Sequence, residues 1–89
     1  MENEIIVGDI VVSISGHDKN RPFIVVSIDK SGYLAIIDGR YREKNKPKLK
    51  NPKHLMKVGH DDAIIEKINS PISTDTEIYK MIKVYKVKE

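Results

Sequence analysis

Three runs rich in β-branched residues, separated by turn-forming residues, occupy the first 39 positions of the chain. They span 5–15, 23–28 and 33–37, and the first is interrupted near Gly8-Asp9. Such runs are typical of strands, and the short turn at 29–32 favours an antiparallel hairpin. Strands spaced at about a dozen residues indicate a small barrel or sandwich rather than a parallel βαβ arrangement.

The last third of the chain carries helix signals instead. Asp61-Asp62 offers an N-cap and a negative first turn before apolar residues at helical spacing, and Asn69-Ser70-Pro71 ends that pattern. Thr74 to Glu77 has the spacing of a capping box, and the apolar residues that follow line one helix face, although 84–87 also alternate like a strand. We predict one mainly-β domain, a small barrel over 1–59 with a helical appendix over 60–89.

Positive charge is concentrated in the middle of the chain. Residues 1–39 contain three basic and six acidic residues, 40–57 contain eight basic and one acidic, and 58–89 contain five basic and six acidic. A basic residue stands at every second position from 40 to 50, so any extended part would place these side chains on one face. A basic stripe is the usual footprint of a nucleic-acid binder, and a solvated charged loop is the alternative interpretation.

Residues 8–29 carry a pattern that resembles the KOW motif of ribosomal and transcription-elongation proteins: Gly8-Asp9-x-Val11-x-x-Ile14-Ser15-Gly16-x-Asp18-Lys19-x-Arg21-x-x-x-Val25-x-x-Ile28-Asp29. The resemblance implies two strands of an SH3-like β-barrel joined by a glycine-bearing loop. Asn20 and Phe23 stand where those families often have glycine. Asparagine adopts the left-handed conformation more readily than most residues, which is compatible with a tight turn at Asn20.

Two later segments, Lys46-Pro47-Lys48-Leu49-Lys50-Asn51-Pro52-Lys53-His54-Leu55 and Thr74-Asp75-Thr76-Glu77-Ile78, are similar to the bacterial branch of the ribosomal protein L14e family. With them the resemblance covers most of the chain. It implies RNA contacts through the glycine loop and the basic loop. The residues carried over are Gly16, His17, Lys19, Asn20, Arg21, Arg40, Arg42, Lys46, Lys48, Lys50, Lys53 and His54.

The chemistry of these residues agrees with such a role. A guanidinium grips a phosphate with two hydrogen bonds and stacks on unpaired bases, so the arginines are the first candidates. Tyr41, between two arginines, is a candidate for stacking on a base, whereas Tyr33 and Tyr85 lie in apolar patterns and are predicted to be core. Gly16 is explained first by a turn, and its small size also lets backbone amides approach a phosphate.

We therefore expect a non-catalytic protein without a cofactor that binds ribosomal RNA, with ribosomal proteins as further partners. No nucleophile and base are set at catalytic spacing, and the three widely separated histidines in a chain without cysteine do not predict a metal site. A protein-interaction module using the barrel or the C-terminal helix is the alternative. The apolar runs are shorter than the roughly 20 residues of a membrane span, so we expect a cytoplasmic protein.

Overall fold

The computed structural model describes residues 4–14, 20–40 and 42–86. These residues form one antiparallel sheet with the strand order β4-β3-β2-β1-β5. The strands are β1 (Asp9–Ser13), β2 (Pro22–Ile28), β3 (Leu34–Ile37), β4 (Lys48–Lys50) and β5 (Leu55–His60). Helices α1 (Asp62–Asn69) and α2 (Asp75–Ile82) follow, and two 3-10 helices span Pro52–His54 and Lys83–Tyr85.

The predicted strands and helices are confirmed in outline. β1 begins directly after Gly8, whose φ of 95° marks the interruption expected near Gly8-Asp9. Of the described residues between 40 and 54, only Lys48–Lys50 form a strand, and β5 begins at Leu55. β4 and β5 are the two edges, so the sheet is not closed, and the predicted mainly-β class holds without a continuous ring of hydrogen-bonded strands.

Strand side chains alternate between the two faces of the sheet, and each face carries a cluster of buried residues. The face that we call the helix face carries Ile10, Ile24 and Ile37, which pack against Ile64 of α1 and Ile78 and Ile82 of α2. The opposite face, which we call the inner face, carries a second cluster. Its members are Val11, Phe23, Val25, Leu34, Ile36 and Leu55.

The two helices begin where the sequence predicts. Asp61 caps α1 by accepting hydrogen bonds from the backbone N–H groups of Ala63 and Ile64, and Thr74 and Glu77 form the complete capping box of α2. The chain after α2 continues into a 3-10 helix and not into a strand over the described residues. None of the helices in the described residues is long and apolar enough to cross a membrane.

The two tyrosines predicted to be core differ. Tyr85 packs against the helix-face cluster, and its hydroxyl donates to Asp61 Oδ2 at 2.8 Å. Tyr33 is 42% exposed, so its prediction was wrong. Tyr33 lies in the turn directly before β3, where its N–H donates to Asp29 Oδ1. The alternation that buries strand side chains begins only at the next residue.

Candidate nucleic-acid interface

The strand register brings three separate connections to one end of the sheet. β1 ends and β2 begins there, because Val12 is opposite Pro22. The β3–β4 loop lies at the same end, since Ile37 is opposite Ile24 and Lys48 is opposite Ile36. The start of β5 lies there as well, because Leu55 is opposite Ser13. We call this the basic end of the sheet.

The β1–β2 connection contributes Asn20 and Arg21 to the basic end. Asn20 has a φ of 66°, and its N–H donates to the Ser13 carbonyl at 3.2 Å. Asn20 therefore has the left-handed conformation that asparagine tolerates and that a tight turn at this position allows. Gly16, His17 and Lys19, the other predicted RNA contacts of this loop, lie outside the described residues.

The β3–β4 loop is held in a compact turn by Asp38, a buried residue. One oxygen of its carboxylate, Oδ1, accepts hydrogen bonds from the backbone N–H groups of Arg40 and Arg42, each at 2.9 Å. The N–H groups of Asp38 and Gly39 in turn donate to the Arg42 carbonyl. The first part of the basic segment is thus an ordered turn, and the backbones of both arginines are fixed.

The same loop is docked on α2. A Cβ atom at Gly39 would lie 2.5 Å from the Asp75 carbonyl oxygen and 2.6 Å from the Tyr79 nitrogen, so only glycine allows this approach. Lys44 completes the docking: its N–H donates to Asp75 Oδ1 at 2.7 Å and its Nζ donates to the Ser73 carbonyl at 2.8 Å. Lys44 therefore acts in the packing of the loop.

Most of the basic residues that were predicted to contact RNA, and that the structure describes, are exposed at the basic end. The side chains of Arg40, Arg42 and Lys46 are exposed on the β3–β4 loop, and those of Lys53 and His54 are exposed just before β5. The His54 carbonyl accepts from the Ile14 N–H at 3.1 Å, which ties this turn to the β1–β2 connection. Tyr41 lies outside the described residues.

Lys48 and Lys50 are placed differently from the loop cations. They stand opposite Ile36 and Leu34 in the register, so both are on the inner face, as the predicted alternation requires. Both are half-buried, and Lys50 is opposite the start of β3, away from the basic end. The basic residues from 40 to 50 are therefore divided between a docked loop and a short edge strand, and the expected shared face applies to the strand alone.

Two residues that the sequence analysis did not select lie beside this surface. The guanidinium carbon of Arg40 is 5.7 Å from the centre of the Tyr79 ring, and Arg40 Nη1 is 3.4 Å from the Tyr79 hydroxyl. Lys83 Nζ is 5.8 Å from the same ring centre. The pairing of Tyr79 with Lys83 could have been found from the sequence, because residues four apart in a predicted helix share one face.

A second polar cluster surrounds the fully buried carboxylate of Asp9. His60 Nδ1 is 2.6 Å from Asp9 Oδ1, His60 Nε2 is 2.8 Å from Asp62 Oδ1, and Lys57 Nζ is 3.3 Å from Asp9 Oδ1. Hydrogen bonds to Asp9 first, and then to Asp62, raise the pKa of His60 above its ordinary value. Burial acts to raise the pKa of Asp9, but the hydrogen bonds from Ile6, His60 and Lys57 outweigh it and lower that pKa.

An open apolar groove of about 800 Å³ lies between the β2–β3 turn, the 3-10 helix Pro52–His54 and β5. Half of the Ile14 side-chain surface and nearly half of that of Met56 are exposed there. Lys53 and Lys57 also line it. Its apolar lining residues are Ile5, Ile14, Ile28, Leu34, Leu55 and Met56.

Comparison of the chain with models of known protein families and with curated proteins finds no match. The resemblance to KOW-domain and L14e-type proteins therefore stays a prediction. Within residues 4–14, 20–40 and 42–86, no group of three or more histidine, aspartate or glutamate side chains is arranged to hold a metal ion.

Proposed function

We propose that this protein binds structured ribosomal RNA through the basic end of its sheet, and that it does so without catalysis. The observation that carries the proposal is the convergence of three connections on that end. Together they present Arg21, Arg40, Arg42, Lys46, Lys53 and His54, which are far apart in the sequence. Phosphate groups are the partners that such a surface fits best.

An SH3-like barrel of the KOW type is the fold we propose for this sheet. Leu34 and Ile36 of β3 share the inner-face cluster with Leu55 of β5, although β2 and β1 lie between those strands in the sheet. Val11 of β1 and Phe23 and Val25 of β2 complete this cluster, so one face of four neighbouring strands is lined by buried apolar side chains. A continuous apolar face of this kind is compatible with the inside of a small barrel, and the KOW resemblance supports its type.

The docked β3–β4 loop suits RNA binding energetically. Ordering a flexible loop on binding reduces affinity, and the turn around Asp38 together with the Gly39 contact on α2 has already ordered this one. Exposed arginines on a fixed backbone can grip phosphates with paired hydrogen bonds. Recognition would depend on RNA shape and phosphate position more than on base edges.

The proposal is tested with two double variants that remove the same charge. Arg42→Ala with Lys46→Ala removes two exposed cations from the basic end, and Lys30→Ala with Lys67→Ala removes two from other surfaces. Binding to ribosomal RNA extracted from the source cells is measured by filter retention. A charge-assisted hydrogen bond contributes about 1.5 kcal/mol or more, so the first variant should bind at least about tenfold more weakly. The second should bind like the wild type, and equal affinity of both variants would contradict the assignment.

The ribosomal identity of the RNA needs a separate experiment. Gently prepared lysate is fractionated on a sucrose gradient at low and high salt, and RNA cross-linked to the protein is sequenced. Sedimentation with the large subunit and cross-links to one ribosomal RNA site support the proposal. Migration with a protein complex, without RNA cross-links, contradicts it.

A protein-docking function is the second candidate, and the apolar groove is the observation that favours it. The apolar face of α2 is already occupied, because Ile78 and Ile82 are fully buried against the sheet of the same chain. The groove would therefore be the docking surface. Hydrophobic docking is nearly indifferent to salt that abolishes phosphate binding, which separates the two candidates.

A further inference from the structure

Two cations are held against a single aromatic ring at the junction of the β3–β4 loop and α2. Arg40 and Lys83 both have their charge centres within 6 Å of the Tyr79 ring centre. A ring attracts cations to its face at this distance. Positive charge is therefore concentrated beside Tyr79 of α2. The sequence predicted only a helical appendix here, with no part in RNA binding.

Contacts of the two residues that precede Arg40 set its position. Asp38 binds the Arg40 N–H at 2.9 Å, and Gly39 is in backbone contact with Asp75 and Tyr79. Arg40 therefore emerges from the loop directly beside α2. Lys83 reaches the same ring from one helical turn further along, at the end of α2.

The nearby carboxylates of α2 are engaged elsewhere. Asp75 Oδ1 accepts the Lys44 N–H, and Glu77 Oε1 accepts the Thr74 N–H and lies 3.8 Å from Lys67 Nζ. Within the described part of the chain, Lys83 forms no ion pair with an acidic side chain. Two positive charges held at one ring attract an anion more strongly than either does alone.

We propose that Arg40, Tyr79 and Lys83 form a binding site for a phosphate group of the RNA backbone, which extends the RNA contact from the basic end onto α2. This inference rests on the proposed RNA-binding function. Arg40 and Lys83 supply the charge. The Tyr79 oxygen accepts from Arg40 Nη1, which leaves the Tyr79 O–H able to donate to a phosphate oxygen.

The test uses the full chain, the same extracted ribosomal RNA and a matched pair of lysines. Lys83→Gln removes the cation at the ring, and Lys80→Gln removes an exposed cation from the same helix that makes no contact with the ring among the described residues. Affinity is measured over a range of salt. Lys83→Gln should weaken binding roughly threefold to tenfold and reduce the slope of log K against log salt by about 1, whereas Lys80→Gln should change neither.

A second pair of variants examines the ring. Tyr79→Phe keeps the ring and removes the hydroxyl, and Tyr79→Leu removes both; each should weaken binding, the second more strongly, while thermal unfolding monitors the fold. If Lys83→Gln matches Lys80→Gln while Arg42→Ala with Lys46→Ala still weakens binding, the site on α2 is overturned and the proposed function stands. If the wild type fails to bind the RNA, the proposed function and the site on α2 fall together.

Discussion

His60 lies between two carboxylates, with Nδ1 2.6 Å from Oδ1 of the buried Asp9 and Nε2 2.8 Å from Oδ1 of Asp62. Both ring nitrogens can donate only when the imidazole is protonated. The cluster joins the first residue of β1 to the last residue of β5 and the first of α1. A proton on His60 therefore strengthens the contact of β1 with β5 and α1.

This arrangement predicts that stability falls as the pH rises through the neutral range. The hydrogen bonds to Asp9 and Asp62 raise the pKa of His60 above its ordinary value of 6.5, so the folded protein holds the proton more tightly than the unfolded chain. The stabilisation is fully present below 6.5 and is lost as the pH rises through the pKa of the folded state. NMR titration of the His60 ring should give a midpoint above 6.5.

His60→Gln provides the control for that prediction, because glutamine does not titrate. Urea unfolding of the variant, measured from about pH 5.5 to about pH 9, should lack the decline seen in the wild type. A His60 midpoint at or below 6.5 would show that the two carboxylates do not hold the proton.

Gly39 and Gly32 form a matched pair for measuring how tightly the basic loop is docked. Their φ angles are 82° and 87°, so alanine meets a similar backbone cost of about 1 kcal/mol at each position. A Cβ at Gly32 meets nothing within 4 Å, whereas at Gly39 it would lie 2.5 Å from the Asp75 carbonyl oxygen. Gly39→Ala should therefore reduce the free energy of unfolding by about 3 kcal/mol, against about 1 kcal/mol for Gly32→Ala. Equal losses in urea unfolding would mean that the loop moves away from α2 without cost.

Val25→Asp should abolish folding, because Val25 is fully buried in the inner-face cluster and an unpaired carboxylate there has no partner. Ser27→Asp is the control, since Ser27 is exposed two residues further along the same strand. Circular dichroism should show loss of the native spectrum for the first variant alone. A folded Val25→Asp protein would indicate that the inner face is open to water.

RNA affinity should depend steeply on salt. If about five cations of the basic end contact phosphates, log K falls against log salt with a slope of roughly −3.5 to −4.5. Filter binding of ribosomal RNA at several salt concentrations gives this slope directly. A slope near zero would favour the protein-docking candidate, whose apolar groove is insensitive to screening.

Local patterns were enough to predict β1, β2, β3 and both helices. Each of these is specified by neighbouring residues: a β-branched run, a turn, or a cap such as Thr74 with Glu77. Tyr33 shows the limit of such patterns, because an apolar run does not reveal at which residue the strand begins, and Tyr33 falls one residue before β3.

The docked β3–β4 loop could not have been predicted in the same way. Its structure depends on Lys44 meeting Ser73 and Asp75, and on Gly39 meeting Tyr79, and these contacts join residues about thirty to forty positions apart. The alternation of basic residues predicts a shared face only where the segment is extended. Asp38 binds the backbone N–H groups of both arginines within a local turn, and β4 is limited to Lys48–Lys50.

The order of strands in the sheet has a consequence for synthesis of the chain. β1 lies between β2 and β5, but β5, at Leu55–His60, is made long after β1, at Asp9–Ser13. Until β5 emerges, one side of β1 keeps its backbone amides and carbonyls unpaired, and the helix-face cluster lacks every residue that α1 and α2 supply. Folding is therefore completed only when the residues up to the end of α2 have left the ribosome.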